Sequence, residues 1–264
     1  MNSDSQPGAT TGRRRVLFLT PQYPYPPEQG TALRNYGLVR GVAERHDVTL
    51  FSFADGPLPN PDPLAATCQR VVTVPTPERT SRDRLRTLLT TRDADMAHRL
   101  HSEAAEAALR ELVSASRFDI VQAEGIEMAP YALKIRDWLG ADAPRLVFDD
   151  HNVEYLLQRR AGSADWHRPA RWAAALYSYA QYRRLMALET RICRQAQAVL
   201  VVSEEDGVAL RRLMPELNPF VIPNGLDVAD YDGGEAKEAD MALQRPAVVF
   251  TGKMDYRPNV DAML

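Results

Sequence analysis

Only two cysteines occur in the 264 residues, Cys68 and Cys193, far apart and with neither CxxC nor Cys/His ligand spacing. Neither a disulfide framework nor a zinc site is thereby implied, and a reducing cytoplasm is the compartment that fits. No apolar run approaches the roughly 18 to 20 residues that cross a bilayer, and Met1 to Gly12 lacks the apolar segment of a secretory signal. An excess of positive charge is missing too. The 32 Lys and Arg stand against 35 Asp and Glu, a formal net charge of −3, so nucleic acid is not an expected partner. No G-x-G-x-x-G occurs, which disfavours a dinucleotide-binding loop, and no internal repeat is seen.

What is present suffices for one large or two medium cores, since 45% of residues are hydrophobic and 25% charged. Short β-branched or aromatic runs occupy Arg15–Thr20, Asp47–Phe53, Arg70–Val74, Asp119–Ala123, Arg145–Asp149, Ala198–Ser203 and Phe220–Ile222. Between most of them lie stretches with helical spacing, such as Leu33, Leu38, Val42 and then Leu100, Ala104, Ala107, Ala108, Leu112. The alternation predicts an α/β fold, a doubly wound parallel sheet. Ligands of such sheets bind outside the carboxyl ends of the strands, which directs attention to Pro21–Gly30, Ala123–Met128, Asp149–Glu154 and Ser203–Asp206. Residues 1–12 read as a disordered tail, 13–229 as a Rossmann-like domain and the polar, glycine-containing stretch 230–246 as a linker. Residues 247–264 restart the pattern with one strand and the start of a helix, too little to bury a core. Either a second domain is truncated here or this tail is frayed.

The segments "YPYPPEQGTALR", "FDDHNVEY", "FVIPNGLD" and "VVFTGKMDYRPNVDAM" occur in that order. Together they resemble family 4 glycosyltransferases of the GT-B fold, with a match to sugar transferases of bacterial exopolysaccharide clusters. The resemblance implies two Rossmann-like domains facing a cleft, the first holding the acceptor and the second a nucleotide-sugar. It implies a retaining transferase acting on a carbohydrate or lipid-linked acceptor in polysaccharide synthesis. The nucleotide-sugar is a co-substrate, and no cofactor or metal is expected. The cytoplasm is the expected place, with peripheral contact at the inner face of the plasma membrane left open. Most donor-contacting groups would lie in the second domain, so this chain alone is expected to be inactive.

Residue by residue, His151 matches the family histidine that approaches the donor sugar and is the candidate catalytic group, as a sugar-positioning residue rather than a base. Gly30 opens the helix after a proline-rich loop, where free N–H groups suit an anion and prolines hold an extended cleft wall. Arg34, one turn on, suits a phosphate or an acidic acceptor, and Glu124, at a strand end, suits acceptor hydroxyls. Each of these two also has a bland reading as a solvated surface charge. Asn152 and Glu154 read as helix caps. Gly252, Lys253 and Arg257 are the candidates for the donor diphosphate, with lysine lacking arginine's fork.

The family's Glu, seven residues, Glu motif is absent from its expected place. That spacing occurs only at Glu103 and Glu111, on one face of an alanine-rich helix, which reads as a solvated surface. Asp93-Ala94-Asp95 imitates a metal-binding DxD but precedes a helix, so helix-start acids are the reading. Trp166 to Arg194 holds six arginines, two tryptophans and three tyrosines. This composition suits a membrane interface, and it equally suits a long core helix, the reading preferred on sequence because the aromatics form no single stripe. A non-catalytic acceptor- or partner-binding module is the alternative function.

Overall fold

The computed structural model describes residues 12–166, 171–228, 250, 260 and 263. The chain divides into two compact units, Met1–Leu226 and Asp227–Leu264. The expected linker at 230–246 and the candidates Gly252, Lys253 and Arg257 lie outside the described residues.

Seven strands are present among the described residues: β1 (Arg15–Thr20), β2 (Asp47–Phe53), β3 (Arg70–Val74), β4 (Ile120–Glu124), β5 (Arg145–Asp150), β6 (Ala198–Val201) and β7 (Phe220–Val221). They form one parallel sheet in the order β3-β2-β1-β4-β5-β6-β7. The order reverses between β1 and β4, so the crevice at a topological switch point lies at their carboxyl ends. The strands and alternation read from sequence stand, with ends moved by one or two residues. The helices are α1 (Gly30–Ala43), α2 (Pro63–Thr67), α3 (Ser81–Thr90), α4 (Glu103–Ala115), α5 (Ala129–Leu139), α6 (Glu154–Trp166), α7 (Trp172–Gln195) and α8 (Glu204–Leu213).

Side chains alternate across the pleat, and both faces are covered. Val16, Phe18, Val48 and Leu50 pack with Val39 of α1 and Leu64 of α2. Leu17, Leu19, Phe51, Val121, Phe148 and Val199 pack on the other side with Leu109, Ile135, Leu185 and Ile192 from α4, α5 and α7. Cys68 and Cys193 are buried and unbridged.

Two helix faces differ from those read by spacing. Helix α1 buries Ala32, Arg34, Asn35 and Val39, while Leu38 and Val42 are only partly covered. Helix α4 begins at Glu103 because the Ser102 hydroxyl accepts from the Ala105 N–H, and it buries Ala105, Leu109, Leu112 and Val113. Ala104 and Ala107 face solvent, as do Glu103 and Glu111. The cap sets the helix's start, and packing against the sheet sets its rotation.

Candidate functional site

On the face covered by α1 the strands are apolar until their carboxyl ends, where they turn polar. Thr20 of β1 donates to Ser52 of β2 at 2.8 Å, and Glu124 of β4 stands beside Asp149 of β5 in register. Alternation places Gln122, Glu124 and Asp149 on this same face. A run of buried polar residues needs partners. The first comes from α1: Arg34 grips both Asp149 oxygens, Nε to Oδ2 at 2.9 Å and one terminal nitrogen to Oδ1 at 2.8 Å. The other terminal nitrogen donates to the Ile222 carbonyl at 2.7 Å and to Asn224 Oδ1 at 3.1 Å. Four of its five donors are thus engaged, and its side chain is 3% exposed. The bland reading of Arg34 as a solvated surface charge is therefore wrong, and its reach toward a ligand is limited to one remaining donor.

The second partner is His151, which follows β5. Its Nε2 lies 3.0 Å from Glu124 Oε2 and 3.9 Å from Asp149 Oδ2. Gln122 donates to the other Glu124 oxygen at 2.7 Å. Glu124 is fully buried, and that burial pushes its pKa up to about 7 even though the His151 hydrogen bond pulls the other way. Burial pulls the His151 imidazole down, but the hydrogen bond and charge of Glu124, joined by Asp149, outweigh it, and the net direction is upward. Glu124 and His151 are thus joined by one hydrogen bond, and the pKa of each is raised in the folded chain. Read from sequence as a group for acceptor hydroxyls, Glu124 instead spends both oxygens on protein partners beneath the imidazole.

A cavity of about 190 Å³ opens above this network, lined by Gly30, Thr31, Arg34, His151, Asn152, Val202 and Asn224. Gly30 is the first residue of α1, whose N-cap residue Gln29 makes no side-chain cap. A Cβ at Gly30 would touch nothing within 4 Å, so the protein itself does not require glycine there. The proline-rich loop before it is anchored by the Tyr23 hydroxyl, which donates to the Asp62 carboxylate at 2.6 Å. Gly125, not singled out from sequence, is required by the fold. Its φ is +77°, and a Cβ there would come within 3.3 Å of Glu127 Oε2 and 3.6 Å of His151 Nδ1. The "EG" pair at the end of a strand run was the available signal.

The opposite face of the same loop is acidic and buried. Asp150 points to the α7 side, with both carboxyl oxygens lacking a partner among the described residues. Glu189 of α7 accepts from the Glu154 N–H at 2.6 Å and from the Tyr155 N–H at 3.4 Å, so it caps α6. The cap expected from Asn152 or Glu154 comes instead from a residue 35 positions away, and Asn152 lines the cavity. Burial raises Asp150 well above the usual carboxylate range, Glu189 to about 8 and Glu154 to about 7.

These shifts share one sign. A carboxyl whose pKa is higher folded than unfolded keeps a proton that the unfolded chain releases, so stability falls as pH rises from about 4.5 to about 8. His151, also raised, contributes stability present below its unfolded value and lost as pH climbs through its folded one. His98, lowered chiefly by its own burial, opposes the trend. The melting temperature is accordingly expected to be higher at pH 5.5 than at pH 8, by about 2 to 4 °C for each kcal/mol of the summed effect in a unit of this size. Thermal unfolding at the two pH values checks this, and Asp150→Asn should flatten the slope. A higher melting temperature at pH 8 would contradict the assignment.

Ligand atoms of Glu124, Asp149 and His151 lie within 4.8 Å of one another, a spacing that could hold a cation. Arg34 already occupies both Asp149 oxygens, and a dication would sit against its guanidinium, so the group fits a hydrogen-bonded network better than a metal site. Asp95 opens a 3₁₀ turn, Asp95–His98, and pairs with Arg79 at 2.7 Å.

The family model for Glycosyltransferase Family 4 matches residues 29–230. Similar solved structures include Phytolacca americana UGT2 complexed with UDP-2fluoro-glucose and pterostilbene, at 14% identity over 81% of this chain and 54% of that one, with a TM-score of 0.45. The N-terminal domain of Candida albicans trehalose-6-phosphate phosphatase matches at 11% identity over 88% and 53%, with a TM-score of 0.48. Arabidopsis thaliana UGT89C1 matches at 15% identity over 81% and 52%, with a TM-score of 0.40. The chain spans about half the length of these structures. No curated protein matches it.

Proposed function

Because the chain belongs to glycosyltransferase family 4, we propose that it forms the acceptor-side half of a retaining enzyme that moves a sugar from a nucleotide-sugar to a carbohydrate or lipid-linked acceptor. The setting we propose is bacterial polysaccharide synthesis in the cytoplasm, with the nucleotide-sugar as co-substrate and no resident cofactor or metal. One observation carries the reading: His151 lines a cavity at the carboxyl edge of the sheet while a buried carboxyl, Glu124, holds its Nε2 from below.

In this reading Nε2 faces Glu124 and Nδ1 is the nitrogen left for a sugar hydroxyl. Gly125 carries no side chain to crowd that nitrogen. Free N–H groups at the start of α1, beside Gly30 and Thr31, carry the partial positive charge that suits the donor phosphates. During transfer the bond between the sugar's anomeric carbon and the phosphate oxygen breaks, the acceptor oxygen takes its place, and the nucleoside diphosphate leaves and takes up the proton of the acceptor hydroxyl. His151 touches the sugar, whereas Arg34 and Glu124 act as positioning residues. Gly252, Lys253 and Arg257 are the residues proposed to bind the donor diphosphate.

Most donor contacts are proposed to lie in a second half, so the assay uses a polypeptide that carries this chain together with a donor-binding half. Proton NMR of the glycoside formed from a nucleotide-sugar should show the donor's own anomeric configuration. An inverted product would refute the retaining assignment. Acceptor binding without any transfer would favour the non-catalytic module.

A further inference from the structure

The amino edge of the sheet, opposite the edge that carries His151, holds a second hollow. A cavity of about 590 Å³ opens there between the first residues of β1, β2 and β3 and the end of α4. Register sets Thr49 of β2 between Leu17 of β1 and Arg70 of β3. Arg15 stands two residues before Leu17, so Arg15, Thr49 and Arg70 share the sheet face on which α4 packs. Helix α4 ends at Ala115, and Ser116 turns the chain extended toward β4, which leaves the corner uncovered. Buried Thr49 and Leu112 and half-buried Phe118 line the cavity, and Arg117 is the third arginine around it.

Three arginines around one hollow repel one another unless an acid or a ligand answers them. No acid of the protein does so. None lines the cavity, and among the described residues the side chains of Arg15, Arg70 and Arg117 make no hydrogen bond or ion pair. Asp47 and Asp119, at this edge, are engaged elsewhere: Asp47 pairs with Arg13 at 2.7 Å, and Asp119 accepts from the Arg15 main-chain N–H at 2.8 Å. Nor do the arginines cap the last carbonyls of α4, the ordinary structural use of a cation at a helix end. A guanidinium donates in pairs to phosphate oxygens, and the volume is that of a small-molecule site whose apolar wall Leu112 and Phe118 supply. The net charge of −3 gives no wider positive field for a nucleic acid, so a small ligand held locally is the occupant that fits.

We propose that this cavity binds a small soluble molecule carrying two or more phosphate groups. Along β1, from Arg15 to Thr20, the two edges of the sheet stand about 16 Å apart at about 3.3 Å per residue. The proposal therefore uses none of the residues assigned to glycosyl transfer.

Sodium tripolyphosphate is titrated into the whole chain by calorimetry, and thermal unfolding is followed with and without it. Binding is expected, weakening as salt is raised, together with a rise in melting temperature. Arg70→Ser with Arg117→Ser should weaken binding by about tenfold for each arginine. Both side chains are exposed, so the melting temperature without ligand should stay where it was. Arg86→Ser with Arg191→Ser changes the net charge equally at positions that do not line the cavity, and should bind as the wild type does. Absence of tripolyphosphate binding would overturn the proposal. Equal losses in the two double variants would do the same by reducing the effect to general charge attraction. Full affinity in the Arg70 and Arg117 double variant would also overturn it and move the anion to the start of α1.

Discussion

Arg34→Ala is expected to lower the stability of the folded chain by about 3 to 5 kcal/mol, the cost of leaving a buried carboxylate without its partner. Asp149 is 0% exposed and receives two of its hydrogen bonds from this one guanidinium. Truncation also strips the Ile222 carbonyl and Asn224 of a donor, loosening the chain where it leaves β7. At about 2 to 4 °C per kcal/mol, the melting temperature should fall by about 10 °C. Arg34→Lys should recover only part of the loss, because an ammonium cannot reproduce the fork. Replacing Arg34 and Asp149 together with leucine should recover more, because neither charge is then left alone. A wild-type melting temperature combined with lost ligand affinity would show that Arg34 binds substrate rather than organising the site.

His151→Ala, tested in a polypeptide with a donor-binding half, is expected to lower kcat by about 30- to 1,000-fold, or about 2 to 4 kcal/mol, with a much smaller change in donor affinity. The stability effect should depend on pH. Without the imidazole, Glu124 is a fully buried acid that can take up a proton, so the variant should unfold near the wild-type temperature at pH 6 and clearly below it at pH 8. Glu124→Gln keeps a hydrogen-bonding partner under the ring but removes its charge, and should lower kcat less than loss of the ring itself. Near-normal turnover with reduced stability in His151→Ala would make the histidine structural.

The strands were legible because doubly covered parallel strands need continuous β-branched and aromatic runs, and those runs are local. The carboxyl-end rule then pointed to the loops carrying Gly30, Glu124 and His151 before any coordinate was known. Helix rotation was less legible. Spacing in α1 marked Leu33 and Leu38, but the helix also covers the polar end of the sheet, and Arg34 and Asn35 turn inward to meet it. A periodicity argument assumes an apolar target, and this one is half polar.

The sequence by itself determined the alternating α/β order, the parallel sheet and the edge at which a ligand would bind, all of which follow from short-range pattern. Only the tertiary structure decided which charges at that edge are committed to the protein. Arg34 and Asp149 stand 115 residues apart, and Glu189 caps a helix that begins 35 residues earlier. Nothing in local periodicity encodes such pairings, because they arise when separate strands and helices are brought into register. The outward face of α7 was decided the same way. Ala175 and Ser178 lie against Gly162 of α6, Leu185 and Ile192 are buried and Tyr182 packs on the core, whereas Trp172, Leu176 and Tyr179 stay exposed.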